Sequence, residues 1–188
     1  MIPLHEAQET VLAGCAPLTT VQVAYTEMTG RVLDQDVVAV EDVPPFHNTA
    51  VDGYAVRAAD TERVPVELVV VDTLAAGAEP KIAVNNGEAI RIMTGAPMPD
   101  GADAVVMVED TEPVGETHVR ISRSAKVRDG VRDAGSDVRA GETVFVRGTV
   151  LNAAGIGVLA SVNARTVRAF PRARVALLST GDELVVDG

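Results

Sequence analysis

Between about residue 46 and residue 145 the chain is cut into short Val- and Ile-rich pieces, and Gly, Pro, Asn or Asp stands in nearly every gap. Pieces at 54–57, 67–72, 89–93, 104–109, 119–122 and 143–147 each have the length and alternation of a strand. Many short strands joined by tight turns build a β-barrel or a sandwich. Composition points the same way, with 16 Gly, 10 Pro and no Trp. Aromatic residues are only 3% of the chain, so the 47% that is apolar is mostly Val, Ala, Leu and Ile. Such a core suits strands more than long helices.

The flanks read differently. Leu4, Ala7, Val11 and Leu12 share one helical face, with Gly14 as a stop. Residues 20–23 alternate as a strand, 24–33 read as a second helix interrupted by Gly30, and 36–40 read as extended up to Pro44-Pro45. Helical character returns over 152–162, with Asn152 as N-cap and Ile156, Leu159 and Ala160 facing inward. Residues 166–170 form a strand. Residues 175–178 are apolar on both faces, the pattern of a buried parallel strand. Such a strand needs partner strands and covering helices, and only ten residues follow it in this 188-residue chain. We therefore read the chain as a piece of a longer protein. The alternative is a short protein that ends in an edge strand.

A formal net charge of −11 argues against non-specific nucleic-acid binding and against anionic membranes, both of which need basic surface. One cysteine, Cys15, allows no internal disulfide and no thiolate zinc site. His5, His47 and His118 are scattered. No apolar run reaches the ~18 residues that span a bilayer and no signal peptide opens the chain, so the expectation is a cytoplasmic protein.

Four turns carry carboxylates or hydroxyls. Residues 45–57 read Pro-Phe-His-Asn-Thr-Ala-Val-Asp-Gly-Tyr-Ala-Val-Arg, with Asp52 before Gly53 at a strand entry. The others are Met93-Thr94-Gly95-Ala96-Pro97, Ala134-Gly135-Ser136-Asp137 and Ser179-Thr180-Gly181-Asp182-Glu183. An Asp-Gly step offers a carboxylate on a turn whose backbone is open to a ligand. Read singly, each of these residues also serves simply to fix its own turn.

Taken in order, the four segments resemble the molybdopterin molybdenumtransferase family, which includes MoeA and the gephyrin E domain. The resemblance runs over about residues 4–184. The chain departs from the family phrase at His47, where the family has Asp, and at Val51, where it often has Met. The Asp-Gly-Tyr-Ala core is intact, and Arg132, Gly135 and Asp137 match the family's Arg-x-x-Gly-x-Asp.

The resemblance implies a fold that is mixed α/β and β. An elongated split α/β dimerisation domain over 1–44 and 146–173 would hold an inserted β-barrel-like domain over 45–145. Residues 174–188 would supply the first strand of a truncated pterin-binding α/β domain. The implied function is molybdenum cofactor biosynthesis, in which molybdenum from molybdate enters adenylylated molybdopterin and AMP is released, the fragment alone being inactive. The implied partners are a second copy in a homodimer, the small-molecule pterin substrate and other molybdenum cofactor biosynthesis proteins. A gephyrin-like dimeric scaffold is the alternative.

Cleavage of a phosphoanhydride calls for Mg²⁺, which prefers carboxylate oxygens, and for donors to a tetrahedral oxyanion. The resemblance assigns catalysis to Asp52, Asp137 and Thr94, the metal to Asp52 and Asp137, and substrate binding to Glu183, Asp182, Thr180 and Arg132. Two crowded carboxylates repel unless a cation or a proton lies between them. Lys126, Arg128, Arg132 and Arg139 make a basic run that either attracts molybdate or the pterin phosphate or is a solvated face. His47, in place of a family acid, has no catalytic role in this reading, and Met93, Met98 and Met107 read as packing residues.

Overall fold

The computed structural model describes residues 2–179, 181 and 183. In chain order the elements are α1 (Leu4–Ala13), β1 (Val21–Ala24), β2 (Val37–Val38), β3 (Asn48–Thr49), β4 (Gly53–Val56), β5 (Val66–Leu74), β6 (Glu88–Ile92), β7 (Ala104–Met107), β8 (Thr111–Val114), β9 (His118–Ile121), β10 (Val131–Arg132), β11 (Thr143–Phe145), α2 (Ala153–Ser161) and β12 (Thr166–Ala169). The chain divides into two compact units, Met1–Val37 with Thr143–Gly188, and Val38–Glu142. Residues 38–44 thus belong with the β-rich unit, because Val43 bridges Val138 and the Ala39 amide donates to the Glu142 carbonyl at 2.9 Å.

The β-rich unit is built on one six-stranded sheet in the order β7-β4-β6-β5-β9-β8. It is curled like half a barrel and stays open at β7 and β8. All pairs are antiparallel except β5 with β6. Both faces of the sheet are covered, so all four residues of β4 are buried. Tyr54 and Val56 pack with Leu68, Val106 and Ile121 on one face; Ala55 packs with Ile90, Ile92 and Val105 on the other. This alternation follows from the two-residue period of a strand. The β8 strand escapes a sequence reading because it contains Pro113. It is an edge strand, paired only with β9, where a missing N–H is tolerated.

In the other unit β1 pairs antiparallel with β12, and α2 packs on them through Leu159. The Asn152 side chain accepts the Gly155 amide at 2.9 Å, which caps the helix as expected. Leu159 is buried and Ile156 packs against the core as expected, whereas Ala160 is exposed and Gly155 is buried in its place. Leu151 and Phe145 approach Gly155 closely.

Two other expectations fail. Residues 24–33 are not a helix. After a 3₁₀ turn at Tyr25–Glu27, Gly30 takes φ 73° and the chain runs extended against 149–151. The Gly30 amide donates to Leu151 O and the Leu33 amide to Thr149 O, so these donors leave the local helical ladder for a distant partner. Residues 175–178 are not a strand either. No strand forms over 171–179, and Leu177 and Leu178 are 93% and 89% exposed. A strand apolar on both faces has nothing here to pair with or be covered by. The α1 helix forms where expected but buries no residue, and its apolar face (Leu4 75%, Leu12 68% exposed) is open. No helix among the described residues is long and apolar enough to cross a membrane.

Candidate functional site

The Asp52 turn is held from beneath. Thr49 is buried, and its hydroxyl donates to the Val51 carbonyl at 2.6 Å while accepting the Val51 amide at 3.2 Å. Its backbone exchanges bonds with the neighbouring Thr-Gly turn: the Thr49 amide donates to Ala96 O and the Gly95 amide to Thr49 O. Asp52 and Thr94 are thereby brought together from positions 42 residues apart. One carboxylate oxygen of Asp52 accepts both the amide and the hydroxyl of Thr94, each at 2.7 Å. The hydroxyl bond, then the amide bond, then the nearby positive charge of Arg91 hold the Asp52 carboxyl below the usual carboxylate range. Asp52 is therefore an exposed anion, and among the described residues no hydrogen bond reaches its second oxygen.

Gly53 is needed for a reason that its sequence context hides. It is not in the left-handed region; it pairs with both Ile92 and Met107, and a β-carbon there would run into the Val106 carbonyl oxygen. Its backbone is closed by a neighbouring strand and is not open to a ligand. What the turn offers outward is the carboxylate alone.

Asp137 belongs to a second cluster. Arg132 forms an ion pair with it, as the Arg-x-x-Gly-x-Asp spacing allows. Gly135 takes φ 67° and lies against the Asp42 carboxylate, so the loop needs glycine there. The Asp137 and Gly135 amides donate to Val43 O and Pro44 O. β3 and β10 are antiparallel, with Thr49 opposite Val131 and Asn48 opposite Arg132. That register carries Asp137 back toward Val43, while Asp52 lies past the other end, where the Ala50 amide meets Gly130 O. Asp52 and Asp137 share no partner among the described residues.

His47 anchors the Asp137 loop. The Ala134 amide donates to its Nδ1 at 3.1 Å, and the Arg128 guanidinium approaches the same nitrogen at 3.3 Å. A backbone N–H can only donate, so Nδ1 is the acceptor and the ring proton sits on Nε2. Asp133 lies 3.3 Å from Nδ1, but its ion pair is with Arg128. An imidazole nitrogen here does what an acid oxygen would do at the same place: it accepts an amide beside an arginine.

Of the other candidates, Glu183 is exposed in a turn, and Thr180 and Asp182 lie outside the described residues. Arg128 and Arg132 of the basic run are spent on Asp133 and Asp137. Met98 packs against the core, whereas Met107 is 40% exposed. Among the described residues no group of three or more Asp, Glu, His or Cys side chains forms a metal cage. Magnesium does not require one, since it keeps several waters and binds through one or two carboxylates plus substrate phosphates. Asp52, ionised and with one oxygen that accepts no hydrogen bond among the described residues, fits that use; Asp137, already balanced by Arg132, fits it less well.

One residue was missed from the sequence. Arg91 lies inside an apolar strand, directly across from Tyr54. Its guanidinium sits 5.0 Å from the Tyr54 ring centre and donates to the Tyr54 hydroxyl at 3.2 Å. A lone cation in an Ala-Ile-Arg-Ile-Met run, next to a Thr-Gly turn, is the signal that points to it.

Comparison with known proteins supplies the remaining information. The model of the MoeA N-terminal region (domain I and II) matches residues 2–163. Molybdopterin molybdenumtransferase 2 of Mycobacterium tuberculosis is 40% identical over 182 residues, which is 95% of this chain and 44% of that protein. Molybdopterin molybdenumtransferase of Staphylococcus epidermidis is 34% identical over 188 residues, 98% of this chain and 45% of that protein. The crystal structure of the molybdopterin biosynthesis moeA protein from Pyrococcus horikoshii superimposes with TM-score 0.81 at 34% identity, covering 90% of this chain and 46% of that one. The chain thus spans less than half the length of the relatives it matches. With a family match over most of its length, relatives above 30% identity and the same mostly β fold, this chain belongs to the MoeA N-terminal region family.

Proposed function

We propose that the chain is part of a molybdopterin molybdenumtransferase, which moves molybdenum from molybdate into adenylylated molybdopterin with release of AMP. The observation that carries this reading is the Asp52–Thr94 pair: an exposed carboxylate, kept ionised by a hydroxyl and an amide from a distant turn. The relatives, molybdopterin molybdenumtransferases by name, support the reaction class, and they lend nothing to a gephyrin-like scaffold.

In this reading Asp52 would hold a hydrated Mg²⁺, and Thr94 orients that carboxylate. Bound magnesium would neutralise phosphate charge as AMP leaves. Asp137, positioned by Arg132, contributes a second carboxylate, and Thr180, Asp182 and Glu183 bind the substrate. We propose that two copies associate as a homodimer, that the site is completed from outside this chain, and that the 188-residue chain alone is inactive.

The test is a chimera in which residues 1–188 replace the matching part of the M. tuberculosis relative. It is expressed in cells that lack their own transferase. Restored molybdoenzyme activity, abolished by Asp52→Asn, is the expected result. A folded, well-expressed chimera that restores nothing would overturn the reading. AMP release by the isolated chain, given adenylylated molybdopterin, Mg²⁺ and molybdate, would overturn its proposed inactivity.

A further inference from the structure

Arg91 is the cation that the site leaves without an acid. Its Nε is buried and has no hydrogen-bond partner. Its bond to the Tyr54 hydroxyl uses one Nη, and among the described residues no carboxylate forms an ion pair with it. Buried polar groups are almost always satisfied, so one that is not asks for a missing water, ion or ligand. Tyr54 pins the guanidinium by ring contact and by hydroxyl, which fixes the direction of its remaining donors.

The register says which residues neighbour Arg91. Tyr54 is opposite Arg91 and Gly53 is opposite Ile92, so Asp52 comes next to the Met93-Thr94 turn, two residues along from Tyr54. Arg91 and Asp52 are therefore diagonal neighbours across β4 and β6, close enough for the charge of Arg91 to act on the carboxylate. Arg91, the Tyr54 hydroxyl it bonds and the exposed Asp52 carboxylate are thus neighbours. Such a set suits a tetrahedral oxyanion whose charge is shared between a guanidinium and a carboxylate-bound cation.

We propose that Arg91 is an anion-gripping residue of this site, donating to a tetrahedral oxyanion, either a phosphoryl group or molybdate, that lies beside Asp52 and Thr94. The proposal rests on the transferase reading for its substrate class. It adds a residue and a role that the four sequence motifs do not contain. If Arg91 were only packing on Tyr54, its removal would change stability and leave anion affinity untouched.

The experiment is anion binding by the 188-residue chain itself, so it is independent of transfer activity. Pyrophosphate and molybdate are titrated separately by calorimetry, with and without Mg²⁺, into the wild type, Arg91→Met, Arg91→Lys and Tyr54→Phe. The expected result is binding of at least one of the two anions, weakened about ten- to a hundredfold in Arg91→Met. Arg91→Lys should fall between, because it keeps the charge and loses the fork. Circular dichroism and thermal melts check that each variant is folded; if Arg91→Met does not fold, the lysine variant carries the test. Binding of neither anion by the wild type overturns the proposal, as does equal affinity in the arginine variants. Neither of those results touches the transferase reading, which the chimera tests separately.

Discussion

Thr94 spends both of its donors on a single oxygen of Asp52, each at 2.7 Å. Among the described residues the other oxygen of that carboxylate accepts no hydrogen bond. One turn thereby controls both the charge and the direction of a group on another.

This pairing sets the acid response of the metal-free protein. The folded pKa of Asp52 lies below its unfolded value, so the pair stabilises the fold above about pH 3.9 and the contribution is lost as pH falls through the folded pKa. Thr94→Val removes the largest cause of the depression. The Asp52 carboxyl should then titrate at higher pH, nearer its ordinary value, in a carbon-detected NMR titration. An unchanged titration curve would show that the hydroxyl has no such hold.

His47 serves as an acceptor, not an acid. His47→Asp should therefore keep the 133–137 loop in place, with the carboxylate taking the Ala134 amide. His47→Ala should leave that amide unpaired and speed its hydrogen exchange, with little effect on the six-stranded sheet. Equal protection of Ala134 in both variants would contradict this.

Glycines in this chain differ in what they tolerate. Gly53→Ala drives a methyl into the Val106 backbone and should cost about 1–3 kcal/mol by overpacking. Gly157 lies in α2 with open space around it, so Gly157→Ala should stabilise by about 0.5–1 kcal/mol. Opposite signs in paired denaturation curves are the expected outcome.

Thr61 is fully buried and bridges two loops. Its hydroxyl donates to Ala58 O and accepts the Ala125 amide, both at 2.9 Å. Thr61→Val keeps the shape and strands the Ala125 N–H, so it should cost about 1–3 kcal/mol. A loss well below that, measured by urea unfolding, would mean that water replaces the hydroxyl.

Strand positions in the β-rich unit are legible because alternation survives in both directions of packing. The helical reading of 24–33 goes wrong because a competing partner, 149–151, lies more than a hundred residues away. Pro113 hides β8 for a local reason that only an edge position excuses. At the site, the motifs mark Asp52, Thr94, Arg132 and Asp137, but not who meets whom. Spacing along the chain carries no information on cross-strand register, and register is what joins Asp52 to Thr94 and leaves Asp137 with Arg132. Arg91 becomes noticeable only once Tyr54 stands opposite it. The apolar run at 175–178 misleads because its pattern describes surroundings that this chain does not contain.

The β-rich unit closes on itself at its root. Ala39 takes the Glu142 carbonyl and returns its own to the Gly141 amide at 2.8 Å, so the entry and exit strands of the unit are stitched side by side. A module whose two ends leave through one doorway can be lifted out and rejoined by a short linker. Residues 38–142 are therefore the natural cassette to express alone or transplant, carrying Asp52, Thr94, Arg91, Arg132 and Asp137 in one piece.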